Sequence, residues 1–466
     1  MQDEYRRKKR LTSSSGVSRK KHKLRINFEY LFRVFGMTAF LMHAGGVYAQ
    51  EDKPNHLTVD LQMLFQGEVR DGGILSSDDY DDKEYVDDHS NFIIERSRLA
   101  INYQRDRLEM KFTPQHQGIW GQSGRGSFNI YEAWAKYTTT AGFFGQIGRQ
   151  TLSYDDERII GPNDWAMAGI SHDLLKVGYE GHGHKAHLLL AYNQNAENVN
   201  GGTYYTGGAQ PYKTMHTLWY HYDVPTFPLG VSLLFMNIGT QGGEEGSSVR
   251  TQYQQLAGTY ISYAPKLGSL TGSYYRQMGH DEFGMEIDAW MAAVKATVKP
   301  ADTYEIEAGF DYLSGDPYFA VPGRGHSGLT WHKKMQGFNS IYGSHHKFYG
   351  AMDFFYVSTY FNGFSPGLQN AYIGATVRPH KQLSFNASYH YMATATNLSR
   401  CDMTLGHAIE VGAAYSFKPY IRLSGGFSYM TGTETMEKLK RASSDGSLRW
   451  GWLTLNITPR IININW

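Results

Sequence analysis

The stretch LSFNASYHY, Leu383–Tyr391, alternates without a break. Leu383, Phe385, Ala387, Tyr389 and Tyr391 fall on one face, and Ser384, Asn386, Ser388 and His390 on the other. A period of two marks a β-strand with one apolar and one wet face. Here the apolar face ends in tyrosines and the wet face is built mostly of small side chains. Four further stretches repeat the pattern. In 304–312, Tyr304, Ile306, Ala308, Phe310 and Tyr312 oppose Glu305, Glu307, Gly309 and Asp311. In 407–417, Ile409, Val411, Ala413, Tyr415 and Phe417 oppose Ala408, Glu410, Gly412 and Ser416. In 421–429, Ile421, Leu423, Phe427 and Tyr429 oppose Arg422, Ser424, Gly426 and Ser428. In 57–68, Leu57, Val59, Leu61, Met63 and Phe65 oppose Thr58, Asp60, Gln62, Gln66 and Glu68, with Leu64 out of pattern.

Continued outward, the reading predicts eighteen strands, near 57–70, 91–104, 106–114, 126–138, 142–150, 171–181, 183–195, 213–224, 228–238, 251–264, 268–277, 286–299, 302–313, 368–378, 381–392, 404–418, 420–430 and 448–458. Tight turns such as Arg105–Asp106, Gly181–Gly183 and Lys418–Tyr420 alternate with long polar loops at 71–90, 114–125, 150–170, 196–212, 239–250, 278–285 and 392–403. An even strand count, turns at one end, loops at the other and aromatic strand ends point to a transmembrane antiparallel β-barrel with short periplasmic turns and long extracellular loops. Closure is how a sheet avoids unpaired edges in hydrocarbon. The strand-like segment 347–358 would make the count odd, so it is placed inside one long connection, 314–367. The chain ends on Trp466, and a terminal aromatic after the last strand resembles the signal read by the outer-membrane assembly machinery.

Composition agrees. The 466 residues are 41% apolar and 14% aromatic, with 34 Tyr and 51 Gly. Mean hydropathy is −0.47. No run approaches the ~20 apolar residues of a spanning helix, and the aromatic load disfavours disorder. A single cysteine, Cys401, excludes an internal disulfide framework or a CxxC metal site. A soluble multi-domain β protein is the structural alternative, since sandwiches alternate too.

The net charge of +1 mixes two populations. Residues 1–49 hold 11 Lys/Arg against 3 Asp/Glu, and the other 417 residues hold 34 against 41. Lys20, Lys21, Lys23, Arg25 and Arg33 precede the apolar run Val34–Met42, followed by Val47-Tyr48-Ala49. Basic, apolar and small-residue regions in that order read as a secretory signal peptide, residues 1–49, cleaved after Ala49. The leader accounts for the basic run Arg6–Arg10 without nucleic acid, and residues 50–466 form a single exported barrel domain. Its expected surroundings are the lipids of a Gram-negative outer membrane.

A barrel of this width leaves an aqueous channel, whose wall charges set selectivity. Placing the polar faces inward gives a lining of Arg96, Arg98, Asn102, Glu109, Lys111, Glu132, Lys136, Lys176, Lys295, Glu305, Glu307, Arg378, Glu410 and Arg422. Charge on the lipid face would cost roughly 2–4 kcal/mol for Arg or Lys at the midplane. The loop 149–165 carries Arg149, Asp155, Asp156, Glu157, Arg158 and Asp164. It is expected to fold into the lumen as a constriction. No catalytic set and no metal site stand out, and the His pairs His345–His346 and His182/His184 are read as loop residues. Asp78, Asp79, Asp81, Asp82, Glu84, Asp87 and Asp88 offer oxygen ligands of the kind Ca²⁺ takes, in a spacing that matches no EF-hand.

Two blocks resemble the alginate-export porins. One is GRQTLSYDDERIIGPNDW, Gly148–Trp165; the other combines DYLSGD, Asp311–Asp316, with HKFYGAMDFF, His346–Phe355. The resemblance implies an eighteen-stranded outer-membrane barrel that conducts polysaccharide or small solutes passively. The alginate exporter of that family lines its channel with arginines, whereas the lining inferred here is mixed, which favours a general porin for small hydrophilic solutes or saccharides. The alternatives are a barrel enzyme of lipase or protease type and a surface receptor or adhesin.

Overall fold

The computed structural model describes residues 54–74, 89–122, 124, 126–194, 197, 212–242, 250–316, 334–353, 355, 365–398, 401–440, 442–443 and 447–466. The leader with its cleavage after Ala49 and the carboxylates of 78–88 lie outside these residues.

Among the described residues, eighteen strands of eight or more residues form one sheet. They are β1 His56–Asp71, β2 His89–Arg105, β3 Leu108–Ile119, β4 Ser127–Thr138, β5 Phe143–Gln150, β6 His172–Gly181, β7 His184–Tyr192, β8 Thr214–Asp223 and β9 Leu229–Gly242. Then come β10 Arg250–Tyr263, β11 Gly268–His280, β12 Glu286–Ala301, β13 Tyr304–Leu313, β14 Leu368–His380, β15 Leu383–Ala393, β16 Thr404–Lys418, β17 Ile421–Gly432 and β18 Ser447–Ile457. Each pairs antiparallel with its chain neighbours. β1 pairs with β2 from His56↔Gln104 to Asp71↔His89. Its other edge takes β18, from Met63↔Ile457 to Asp71↔Arg449. The sheet therefore closes on itself as the predicted barrel, the way a sheet limits open edges in hydrocarbon.

Several boundaries differ from the sequence reading: β9 runs on to Gly242 and β11 to His280, into the predicted loops 239–250 and 278–285, and two further differences involve prolines. β3 runs on to Ile119 through part of the predicted loop 114–125. The register against β4 shifts between Thr113 and Pro114, and such an irregularity tolerates a residue without an N–H. At the C-terminus Pro459 breaks β18, but Arg460–Asn465 resumes pairing with His56–Val59 of β1 and with Asp60 after a register shift. Of the segment that threatened the even count, Lys347 closes the 3-10 turn His345–Lys347, and the described residues 348–353 and 355 form no strand.

The two ends of the barrel differ as the turn chemistry requires. β2 and β3 join through Asp106 at φ 52°, β6 and β7 through His182 and Gly183 at φ 53° and 81°. Asn55 and Trp466 meet at this turn end, where their backbones exchange N–H···O bonds of 2.8 and 3.1 Å. The apolar sides of the alternating strands face outward: Phe385 is 47% exposed, Ile409 54% and Ile306 47%. Exposed aromatics gather at the strand ends, Tyr137, Tyr304 and Phe417 at the turn end and Tyr192, Tyr253 and Trp290 toward the loop end. That is the aromatic-girdle arrangement of a membrane barrel.

The inner face is not uniformly polar. Toward the loop end it turns apolar, with Leu189, Met215, Met236, Leu256 and Met291 buried. These side chains form one cluster with Leu152, Ile159, Ile160, Phe338 and Tyr342, which come from two loops folded into the barrel. Full burial of each Leu or Ile contributes about 1.5–3 kcal/mol, so the apolar inner wall holds the loops inside.

Candidate functional site: a loop that crosses the lumen

The connection between β5 and β6, residues 151–171, meets the wall at three separated points. At the first, Asp155 accepts bonds from Trp219 Nε1 on β8 (3.2 Å) and Ser232 Oγ on β9 (2.5 Å). At the second, Arg158 ion-pairs with Asp311 on β13 at 3.0 Å and with its own Asp156 at 3.3 Å. At the third, Asp164 straddles two arginines of β2, with Arg98 Nη1 at 2.6 Å and Arg96 Nη2 at 3.2 Å. Strands 2, 8–9 and 13 of eighteen lie about a third of the circumference apart, so the loop crosses the barrel interior.

Each anchor is built by its surroundings. The Asp164 anchor also holds backbone: Arg96 Nη1 donates to the Asp164 carbonyl (3.0 Å) and Gln115 Nε2 of β3 to the Ala168 carbonyl (3.1 Å). The Arg98 guanidinium lies 3.6 Å over the Tyr131 ring of β4. Gly169, at φ 64°, passes so close that a Cβ would come within 2.7 Å of Tyr131. At the second anchor Arg158 is 4% exposed and its guanidinium lies 4.1 Å from the Phe348 ring centroid. Burial disfavours the Arg158 charge, yet Asp311, Tyr349 and Asp156 more than offset this and hold it firmly protonated. Burial pushes the Asp155 carboxyl above the ordinary carboxylate range, against the pull of its bonds from Ser232 and Trp219.

A second segment, from the connection between β13 and β14, seats on the first. Tyr342 N–H donates to the Ile159 carbonyl (3.1 Å), and Gly161 N–H to the Tyr342 carbonyl (2.9 Å). Glu157 accepts from Ser344 Oγ at 3.0 Å and pairs with Lys347. Burial acts to raise the Glu157 carboxyl, but Lys347, Ser153 and Ser344 overcome it and hold it below its ordinary range. Gly343 is needed here because a Cβ would meet the Arg158 carbonyl at 2.2 Å. His346 stacks on Trp165 at 3.8 Å, and Trp450 of β18 meets Trp165 edge-on at 5.9 Å. Six of the eight described non-glycine residues at positive φ fall in these two segments: Asp155, Glu157, Asn163, Ile341, Tyr349 and Asp353. Such strained backbone concentrates at functional sites. Ile341, β-branched at φ 40°, is the sharpest case.

The wall charges named from sequence are largely paired with one another. Lys111 meets Glu132 at 2.5 Å, Lys136 meets Glu109 at 3.9 Å and Lys295 meets Glu307 at 3.4 Å. Glu305 takes both Lys299 (3.4 Å) and Arg378 (3.2 Å). Asn102 donates to Thr58 Oγ1 at 3.1 Å. Lys176 has its ammonium 5.8 Å from the Phe144 centroid, and Lys136 approaches the same ring at 5.0 Å. Glu410 accepts from the Ala351 N–H of the second segment at 2.6 Å. Arg422 stands exposed opposite Asn456 near the turn end.

Arg149 departs from its expected place in the loop. It lies on β5, on the face of Ile147, which is 56% exposed on the outside. There it forms a two-pronged pair with Asp173 at 2.8 and 2.7 Å. Strand alternation sets this: Gly148 and Gln150 take the inner positions, leaving residue 149 outward.

Sequence reasoning missed the receptors of these anchors. Tyr131, Gln115, Trp219 and Ser232 carry no signal in one dimension, because their partners lie tens of residues away along the chain. Among the described residues, no group of three or more His, Cys, Asp or Glu side chains is placed to hold a metal ion. Below the crossing loop a cavity of about 630 Å³ opens along the wall of β10–β16.

Solved structures share this fold. Pseudomonas aeruginosa OccK5 (OpdH) aligns over 89% of this chain and all of its own, with TM-score 0.56 and 10% identity. Pseudomonas aeruginosa OccK2 (OpdF) in complex with glucuronate aligns over 87% of this chain and 98% of its own, with TM-score 0.56 and 10% identity. A BenF-like porin from Pseudomonas fluorescens Pf-5 aligns over 87% and 99%, with TM-score 0.56 and 8% identity. No protein-family model matches the sequence, and no curated protein matches it.

Proposed function

We propose that this chain is an outer-membrane channel of general-porin type that passes small hydrophilic solutes or saccharides by passive diffusion. The observation that carries the reading is a closed barrel, apolar outside, whose interior holds a polar cavity beneath a loop anchored at three points of the wall. Porins are also the proteins that share its architecture, one of them described with glucuronate bound. The basic leader and the terminal Trp466 fit export and delivery to the outer-membrane assembly machinery, which sets the long loops outside the cell.

The stretches that resemble alginate-export porins meet in one place. Gly148–Trp165 holds most of the crossing loop, Asp311–Asp316 holds the partner of Arg158, and His346–Phe355 holds its cover. We read the resemblance as a shared way of narrowing a wide barrel. The paired wall charges, in place of an arginine lining, favour a general solute over a polyanion.

Liposome swelling tests the proposal. Vesicles containing the purified protein should swell in isosmotic sugars, more slowly as sugar size grows. Vesicles that swell no faster than protein-free controls would overturn it.

A further inference from the structure

The cavity of about 630 Å³ beneath the crossing loop has a size typical of ligand sites. Its charges are the first clue to its occupant. Asp156, Asp311, Glu305, Glu307 and Glu410 line it, against Arg158, Lys295, Lys299 and Lys347. The described lining is therefore slightly acidic, and each of these cations already has a carboxylate partner. Arg158, the one guanidinium in the described lining, is also covered by Phe348. A carboxylate or sulfate entering this space finds no field to draw it, and no free cation among the described lining residues to hold it.

The rest of the lining suits a different chemistry. Thr271, Thr297, Asn386 and Ser388 offer groups that donate or accept. The paired carboxylates act as fixed acceptors for hydroxyl donors, and charge-assisted bonds of that kind are the stronger ones. Tyr372 of β14 and Tyr260 of β10 bring flat apolar surface to the same space. Fixed acceptors, amides, hydroxyls and aromatic rings around such a space are complementary to a ring bearing hydroxyls on its rim.

We propose that this chamber binds a neutral, hydroxyl-rich solute, an uncharged oligosaccharide, in preference to a uronate. The inference rests on the channel reading and names its solute class.

Planar-bilayer recordings with two probes of equal length test it, maltotriose as the neutral sugar and trigalacturonate as the anionic one. In wild type, maltotriose should block the current with an affinity about tenfold higher than trigalacturonate. Asn386→Ala and Tyr372→Ala should each weaken the maltotriose block, while Glu305→Gln/Glu307→Gln should raise the trigalacturonate block. A current that trigalacturonate blocks as well as or better than maltotriose, or a maltotriose block unmoved by both single variants, would overturn the inference and leave the channel reading standing. Absence of any current would overturn the channel reading and this inference with it.

Discussion

Asp164 shows how much one side chain does here. It is 49% exposed, while Arg96, which it holds, is 1% exposed. Replacing it by Asn keeps the shape and removes the charge that two inward guanidiniums share. Charge-assisted bonds contribute about 1.5–3 kcal/mol, and exposure of the carboxylate puts this case at or below the lower end. The expected phenotype of Asp164→Asn is therefore a folded barrel with noisier current, from a loop released at its β2 anchor. A quiet trace identical to wild type would count against the anchor. Asp311→Ala should be worse, because Arg158 and Asp311 are both buried and the survivor is left charged in the interior. Breaking a buried pair costs about 3–5 kcal/mol, and because Asp156 stays beside Arg158 the loss should fall at or below the lower end, read as a lower melting temperature in detergent. Glu157 gives the pH dependence. Its carboxyl is held below its ordinary range, so its tether to Lys347 and Ser344 is complete above that range and is lost as pH falls through the lowered value. Current fluctuations in wild type should rise on acidification, and Glu157→Gln should lose that component of the response.

At the scale of elements, the strands were legible and the loops were not. Period two survives in Leu383–Tyr391 because one face must meet lipid and the other water, so each residue reports its own side. The boundaries near Pro114 and Pro459 shifted because a ladder continues past a proline when the register slips to spare its missing N–H. The charges of 155–164 suggested a loop turned inward, but their receptors on β2, β8, β9 and β13 depend on contacts across the whole barrel. Arg149 was misplaced because it sits one residue inside the strand, where alternation, not charge, decides its side. The apolar inner wall at Leu189, Met215 and Met236 was hidden for a related reason: a strand apolar on both faces no longer alternates cleanly. The outer face yields a prediction at this scale. Ile409→Arg, in the middle of the lipid-facing row of β16, should cost roughly 2–4 kcal/mol and make the barrel unfold at lower temperature in heat-shift gels. Ser388→Arg, on the inner face, should leave that shift nearly unchanged.

At the scale of the molecule, an eighteen-stranded barrel is wide enough for water to pass, and the furniture of its interior sets how much passes. The leading fact about that interior is the loop 151–171, tied at three points of the wall and capped by a second segment. Single-channel conductance of the purified protein in planar bilayers, beside a variant lacking 153–165, tests the loop's role as a constriction most directly. Discrete, stable current steps are predicted in wild type, and clearly larger steps in the deletion. Equal conductance in the two proteins, or no current from either, would contradict that role.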